Sequence, residues 1–333
     1  MNKKKIFILC STKSGLDLIS LINRKYKVSC VITAKVSKKS SSERISAKEF
    51  CKKNKIRCKE IKKYSNLDEI KKFLSKEKID ILICISWQRL IPFWLIKIAR
   101  LACLGAHGSH QGMYLGRGRS PINWAILAGK KIFKISLFLI KNEEADSGPE
   151  IFSKKIRINF TDDVASIYVK CHLILSEMIL NFLKNKKTRI IKYKSRNRFL
   201  PKINEKDGFI DWNRSAIDLY NFIRSKSNPY PNAFTFYNKM KIEVLYAKPI
   251  EDFFFKKIKV GTVIEILNNN DLLVQTKKGI LIIGIKKKYL SYIKVGTEFS
   301  SANFKKQITN IISSHYKLYP RNRLNRLILN LSK

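Results

Sequence analysis

The chain has 333 residues and is 45% hydrophobic, enough to bury a sizeable core and to form two domains. Lys and Arg number 68 against 25 Asp and Glu, giving a formal net charge of +43. The basic residues are scattered along the chain, a pattern that AT-rich coding also produces. The charge therefore favours an anionic ligand without choosing between a nucleotide phosphate and a nucleic acid.

The N-terminal apolar run, Ile6 to Cys10, is too short for a signal peptide. No stretch reads as approaching the ~20 apolar residues of a membrane helix, so the expectation is a cytoplasmic protein without membrane insertion. Seven cysteines, an odd number with no CxxC pair, read as small buried hydrophobes in a reducing compartment. No metal site is expected.

In chain order, Lys5–Cys10 is a short apolar run, and Leu16–Ile22 has helical spacing. Val28–Thr33 is strand-like, residues 34–44 are a polar loop, and Ala47–Lys53 and Leu67–Lys78 read as helices. Ile79–Ser86 is a continuous apolar run, the pattern of a buried parallel strand. Strands alternating with helices predict a parallel α/β sheet, which binds ligands at the carboxyl ends of its strands. No GxGxxG follows the first strand and no GxxxxGK[ST] occurs, which argues against the usual dinucleotide and phosphate-loop sites.

Residues 165–184 form a long helical pattern that closes the first domain, and a basic linker follows. Asp211–Ser225 reads as a helix. Lys241–Tyr246, Gly261–Leu267, Leu272–Gln275 and Ile280–Ile285 are short strands broken by Asn, Asp and Gly, which predicts a small β-barrel. The segment FTFYNKMK reads as an alternating strand of that barrel, and the tail from Ser314 is basic.

Of four histidines, His172 falls in the long helix and reads as structural, and His315 lies in the tail. His107 and His110 stand in GAHGSHQGMYLGRGRSPINWAIL, a glycine-rich stretch where backbone can approach a ligand closely. Downstream, NEEADSGPEI offers a carboxylate in a tight turn. A His–Asp pair suits acyl transfer to an amine, in which an oxyanion forms and a proton must leave the nitrogen.

HGS, RGRSPINWAIL and the DSG turn together resemble the 10-formyltetrahydrofolate-dependent formyltransferases, whose pattern is N-x-H-G-S-L-L-P, then R-G-x-x-P-I/L, then D-[AST]-G. The later IRSKSNPYPNAFTFYNKMKIEVLYA resembles the start of that family's C-terminal barrel, so the resemblance covers roughly residues 3–290. It implies a Rossmann-like parallel-sheet catalytic domain over residues 1–195, a linker over 196–206, an OB-like β-barrel over 207–305 and a basic tail over 306–333. It implies 10-formyltetrahydrofolate as co-substrate, His107 and Asp146 as catalytic residues, and a folate pocket at Ser86, Trp87, Gln88, Arg89, Leu90, Asn142, Glu143, Glu144 and Ala145. Acceptor contacts are expected from Ser109, His110, Arg117, Arg119 and Asn123.

Two departures stand out. The family's asparagine two residues before the histidine is Gly105 here, and loss of one oxyanion donor commonly costs about 10²–10³ in rate. A backbone N–H or the side chain of Asn123, Ser109 or His110 is the expected substitute. In addition, HQGMY replaces LLP.

Two acceptor classes share the architecture: a nucleotide-linked amino sugar and the methionyl group of initiator tRNA. RGRSPINW and NPYPNAF resemble the sugar enzymes, and loop 34–44 lacks a Pro- and Gly-rich basic insertion. The charge and basic linker speak for tRNA. The third alternative is an inactive or RNA-binding relative.

Overall fold

The computed structural model describes residues 4–36, 44–63, 67–87, 89–184, 190–192, 198–321, 323–324, 328 and 330–331. Most of loop 34–44 and much of the basic linker lie outside these. The described residues form two compact units that interleave along the chain. The first comprises residues 1–117, 133–156 and 168–196; the second comprises 118–132, 157–167 and 197–333.

The first unit is built on strands β1 (Ile6–Leu9), β2 (Cys30–Ala34), β3 (Cys58–Ile61), β4 (Ile79–Cys84) and β5 (Ala99–Ser109). Helices α1 (Lys13–Asn23), α2 (Lys48–Lys53), α3 (Leu67–Leu74) and α4 (Phe93–Lys97) connect them. β1, β2 and β4 are short and largely apolar, as strands covered on both faces must be, whereas β3 at the sheet edge carries Lys59 and Glu60 and is only partly buried. They lie in the order β3-β2-β1-β4-β5, each pair parallel. The switch of direction at β1 and β4 leaves a crevice at their carboxyl ends, the usual ligand position of such sheets.

After β6 (Arg117–Gly118) and α5 (Pro121–Leu127) come β7 (Ile132–Leu139) and β8 (Glu150–Arg157). Both join the sheet beyond β5, and β7 runs antiparallel to it. The sheet is therefore mixed rather than purely parallel, and neither added strand was expected from the sequence.

Helix α6 (Val164–Leu183) has 20 residues and is, by length and composition, apolar enough to cross a membrane, which corrects the expectation that no segment comes close. Its buried residues Ile167, Cys171, Leu175, Ile179 and Leu183 recur at helical spacing in one stripe, while Val169 and Leu173 stay exposed. That stripe is how a core helix reaches such a composition.

The second unit holds α5, β9 (Arg198–Leu200), α7 (Ala216–Arg224), strands β10 (Ala233–Tyr237), β11 (Met240–Ile250), β12 (Val263–Ile266), β13 (Leu272–Gln275) and β14 (Ile280–Ile285), helix α8 (Phe304–Leu318) and β15 (Arg323–Leu324). β9 and β15 pair in parallel. The five strands β10–β14 form an antiparallel sheet in the order β10-β11-β14-β13-β12. Among the described residues its strand ladder is open, with no closed sheet where a small barrel was expected. Trp124, Trp212, Leu219, Phe222 and Leu281 anchor its core. α7 begins later than the predicted Asp211 because Ser215 caps it, its hydroxyl accepting from Asp218 N at 3.2 Å. The basic tail starts inside α8, whose buried Ile308 and Ile311 seat it on the core.

Candidate active site

Strand β5 is long enough to serve two partners. Its first part pairs with β4 as far as Cys84 opposite Gly105, and its last part with β7 from Leu104 opposite Leu139 to Ser109 opposite Lys134. His107 therefore stands just past the carboxyl end of β4, directly across from Ser136. Its ring is largely covered. Nε2 donates to the Gly116 carbonyl at 3.0 Å, and Nδ1 faces Asp146 Oδ2 at 3.5 Å. The second distance is in ion-pair range but long for a hydrogen bond. The carbonyl fixes a proton on Nε2, so Nδ1 is the nitrogen that can gain or lose one toward the carboxylate.

The turn bearing Asp146 is held from three sides. Asn142 Oδ1 accepts from Glu144 N at 3.3 Å and from Ser147 Oγ at 2.8 Å, an Asx-type turn. Asp146 lies at φ +51° and Gly148 presses on β7, where a Cβ would come within 1.7 Å of the Leu139 carbonyl oxygen. Only glycine fits there, which explains the DSG wording. Beneath the turn, Arg117 is 1% exposed; its Nε donates to the Ala145 carbonyl at 3.0 Å, Nη2 donates to the same oxygen, and Nη2 meets Glu144 Oε1 at 2.8 Å. Glu143 Oε1 accepts from Phe93 N at 2.6 Å, tying the turn to the start of α4.

Gly105 shares the His107 side of β5, two residues away. A Cβ at 105 would lie 2.5 Å from Phe138 Cζ, so the Phe138 ring fills the space a side chain would need. Two pairs further along, opposite His107, Ser136 Oγ donates to Glu150 Oε2 at 2.6 Å, and Lys134 Nζ donates to Glu150 Oε1 at 3.0 Å. Burial pushes the Glu150 carboxyl up, but hydrogen bonds from Ser136, Ser153 and Lys134 outweigh it and hold the group below the usual range. Phe138, Ser136, Lys134 and Glu150 were not singled out from sequence. The period-two placement of Lys134, Ser136 and Phe138 in KISLFL was the available signal.

The remaining expected residues are dispersed. Ser86 lies two residues beyond β4 at φ +55°, its carbonyl accepting from Ser11 Oγ at 3.4 Å. Trp87 is half-buried against the core, and Arg89 and Leu90 are exposed. Gln88 lies outside the described residues. Ser109 is buried and its hydroxyl serves the loop itself, donating to Gly112 O at 2.7 Å and accepting from Gln111 N at 3.2 Å. His110 is half-buried. Arg119 and Asn123 belong to the second unit, where Arg119 is exposed and Asn123 is buried with Nδ2 donating to Ser225 O at 2.7 Å. Within the first unit the fold brings together His107, Asp146, Arg117 and the 142–145 turn.

Comparison with known proteins gives the family. Residues 4–183 match the sequence profile described as formyl transferase, and residues 202–289 that of the formyl transferase C-terminal domain. The bifunctional polymyxin resistance protein ArnA of Wigglesworthia glossinidia brevipalpis is 33% identical over 82% of this chain, which spans only 41% of that protein. Methionyl-tRNA formyltransferase of Thermodesulfovibrio yellowstonii is 27% identical over 80% of this chain and 84% of its own length. Among solved structures, WlaRD, a sugar 3N-formyl transferase crystallised with dTDP and 5-N-formyl-THF, superposes with TM-score 0.60 at 17% identity, covering 86% of this chain and 99% of that one. HypX from Aquifex aeolicus, in complex with tetrahydrofolic acid, gives TM-score 0.61 at 16% identity, covering 97% and 59%. The structural likenesses speak for the fold.

Proposed function

We propose, for a chain that belongs to the formyl transferase family, that it moves the formyl group of 10-formyltetrahydrofolate onto the primary amine of a nucleotide-linked amino sugar. The observation that carries this reading is the His107–Asp146 pair at the carboxyl edge of the sheet. His107 takes, on Nδ1, the proton that the attacking amine must lose; Asp146 compensates the charge on the ring, that charge favours the nearby oxyanion, and the Gly116 carbonyl fixes the ring through Nε2. Arg117, expected near the acceptor, is assigned here a positioning role through the Ala145 carbonyl. The exposed 142–145 turn and Ser86–Leu90 are the proposed folate side, since Glu143 joins the turn to α4 just after that segment. The co-substrate supplies the activated formyl carbon when bound.

The acceptor reading rests on RGRSPINW and NPYPNAF and is supported by the sugar formyl transferase among the structural neighbours. The second reading, formylation of methionyl-tRNA in the cytoplasm, draws on the sequence relatives and the net charge. An inactive relative, prompted by Gly105, or an RNA-binding one, prompted by the net charge, is the third. The proposed division is a catalytic domain over 1–195, linker 196–206, an OB-like domain over 207–305 and the tail. Isolated bridges from Thr262 to Glu298 and from Phe236 to Ser300 bring both edges of the five-stranded sheet to one segment, which supports the OB-like reading.

The test is a formyl-transfer assay on variants. His107→Ala should lower transfer by about 10²–10⁴, while His110→Ala should keep most of it. Full activity in His107→Ala would remove the proposed mechanism.

A further inference from the structure

We propose that the segment following β11 docks this protein on an anionic lipid bilayer surface. It reads EDFFFKK (residues 251–257) and is neither strand nor helix. Phe253, Phe254 and Phe255 are 62%, 46% and 45% exposed. Single exposed apolar residues are common on soluble folds, but three consecutive rings in water mark an interaction site. The base of the segment is fixed. Phe255 N donates to Oε1 of the buried Gln275 at 3.3 Å, and Ile258 N donates to the Phe255 carbonyl at 3.1 Å. The backbone is thus held in an arrangement that leaves the rings outside the core.

The surroundings supply positive charge. Lys256 and Lys257 follow the rings and are exposed. The turn carrying the exposed Lys277 and Lys278 lies beside Glu251, because a Cβ on Gly279 would sit 3.3 Å from Glu251 Cα. Lys259 is engaged by Glu298 at 2.6 Å and is not counted. Glu251 and Asp252 offset part of this charge, and the chain as a whole carries +43. Aromatic rings settle at the headgroup level of a bilayer, and lysines near the surface meet its anionic phosphates. A bilayer requires only that the rings stand out from the surface and sets no ring-to-ring geometry. A nucleic-acid stacking platform needs ring faces on one side, the arrangement given by every second residue of a strand and not by three consecutive residues outside one.

Co-sedimentation of the full chain with vesicles tests this. Binding should be seen with phosphatidylcholine–phosphatidylglycerol vesicles, weaken with added salt, and be slight with phosphatidylcholine alone. The Phe253→Ser/Phe254→Ser/Phe255→Ser variant should lose on the order of tenfold or more in vesicle affinity. It should keep the parent's circular dichroism melt and its formyl transfer in solution. Lys256→Gln/Lys257→Gln should lower the preference for anionic vesicles. Equal vesicle binding by the parent and the triple variant would overturn the proposal. So would absence of vesicle binding, whether accompanied by phenylalanine-dependent capture of a single-stranded RNA oligonucleotide or by a concentration-dependent dimer that the triple variant loses.

Discussion

Position 105 shows how one residue and its cross-strand partner define the chemistry beside His107. The resemblance assigns an asparagine there, and the chain has glycine with the Phe138 ring over it. Of the expected substitute donors, Ser109 donates within its own loop and Asn123 donates to Ser225. On the proposed mechanism that leaves backbone N–H groups, His110 and the charge on His107 to stabilise the oxyanion. Gly105→Asn alone should therefore fold poorly, because its Cβ meets a ring held in the core. Phe138→Ala alone should cost about 3–5 kcal/mol. The double variant Gly105→Asn/Phe138→Ala should exceed Phe138→Ala in single-turnover rate by on the order of tenfold, restoring part of a donor's worth. Equal rates in the two variants would mean that position 105 no longer borders the reacting carbonyl. The sequence showed the gap at Gly105 and the pair His107–Asp146. It could not show what fills the gap, because Phe138 lies on a strand that was not recognised.

The elements explain where sequence reading succeeded. β1, β4 and β14 are continuous apolar runs bounded by polar residues and were found nearly to the residue. β7 and β8 were missed because their polar residues Lys134, Ser136 and Glu150 satisfy one another in the fold and break the apolar pattern beforehand. In α6, burial lowers the His172 pKa from 6.5 to about 4. The unfolded chain then binds a proton that the folded chain refuses, so stability is present above about pH 6.5 and is lost as pH falls toward about 4. The loss from this group should approach roughly 3 kcal/mol. Urea titrations across that range should show a flatter pH dependence in His172→Gln than in the parent. Parallel curves would place the acid sensitivity elsewhere.

At the scale of the whole molecule, two units share one chain, and the +43 charge belongs to both. Charge alone suits either a nucleotide with few phosphates or a tRNA with many, and the two differ in how salt acts. A small nucleotide-linked acceptor should show a Michaelis constant that varies weakly with ionic strength, whereas tRNA affinity should fall steeply. The most direct measurement is formyl transfer from 10-formyltetrahydrofolate to nucleotide-linked amino sugars and to methionyl-tRNA, compared at low and physiological salt. The account predicts turnover of an amino sugar at both, with little change in its Michaelis constant. Efficient formylation of methionyl-tRNA at physiological salt, with no turnover of any nucleotide-linked amino sugar, would contradict it.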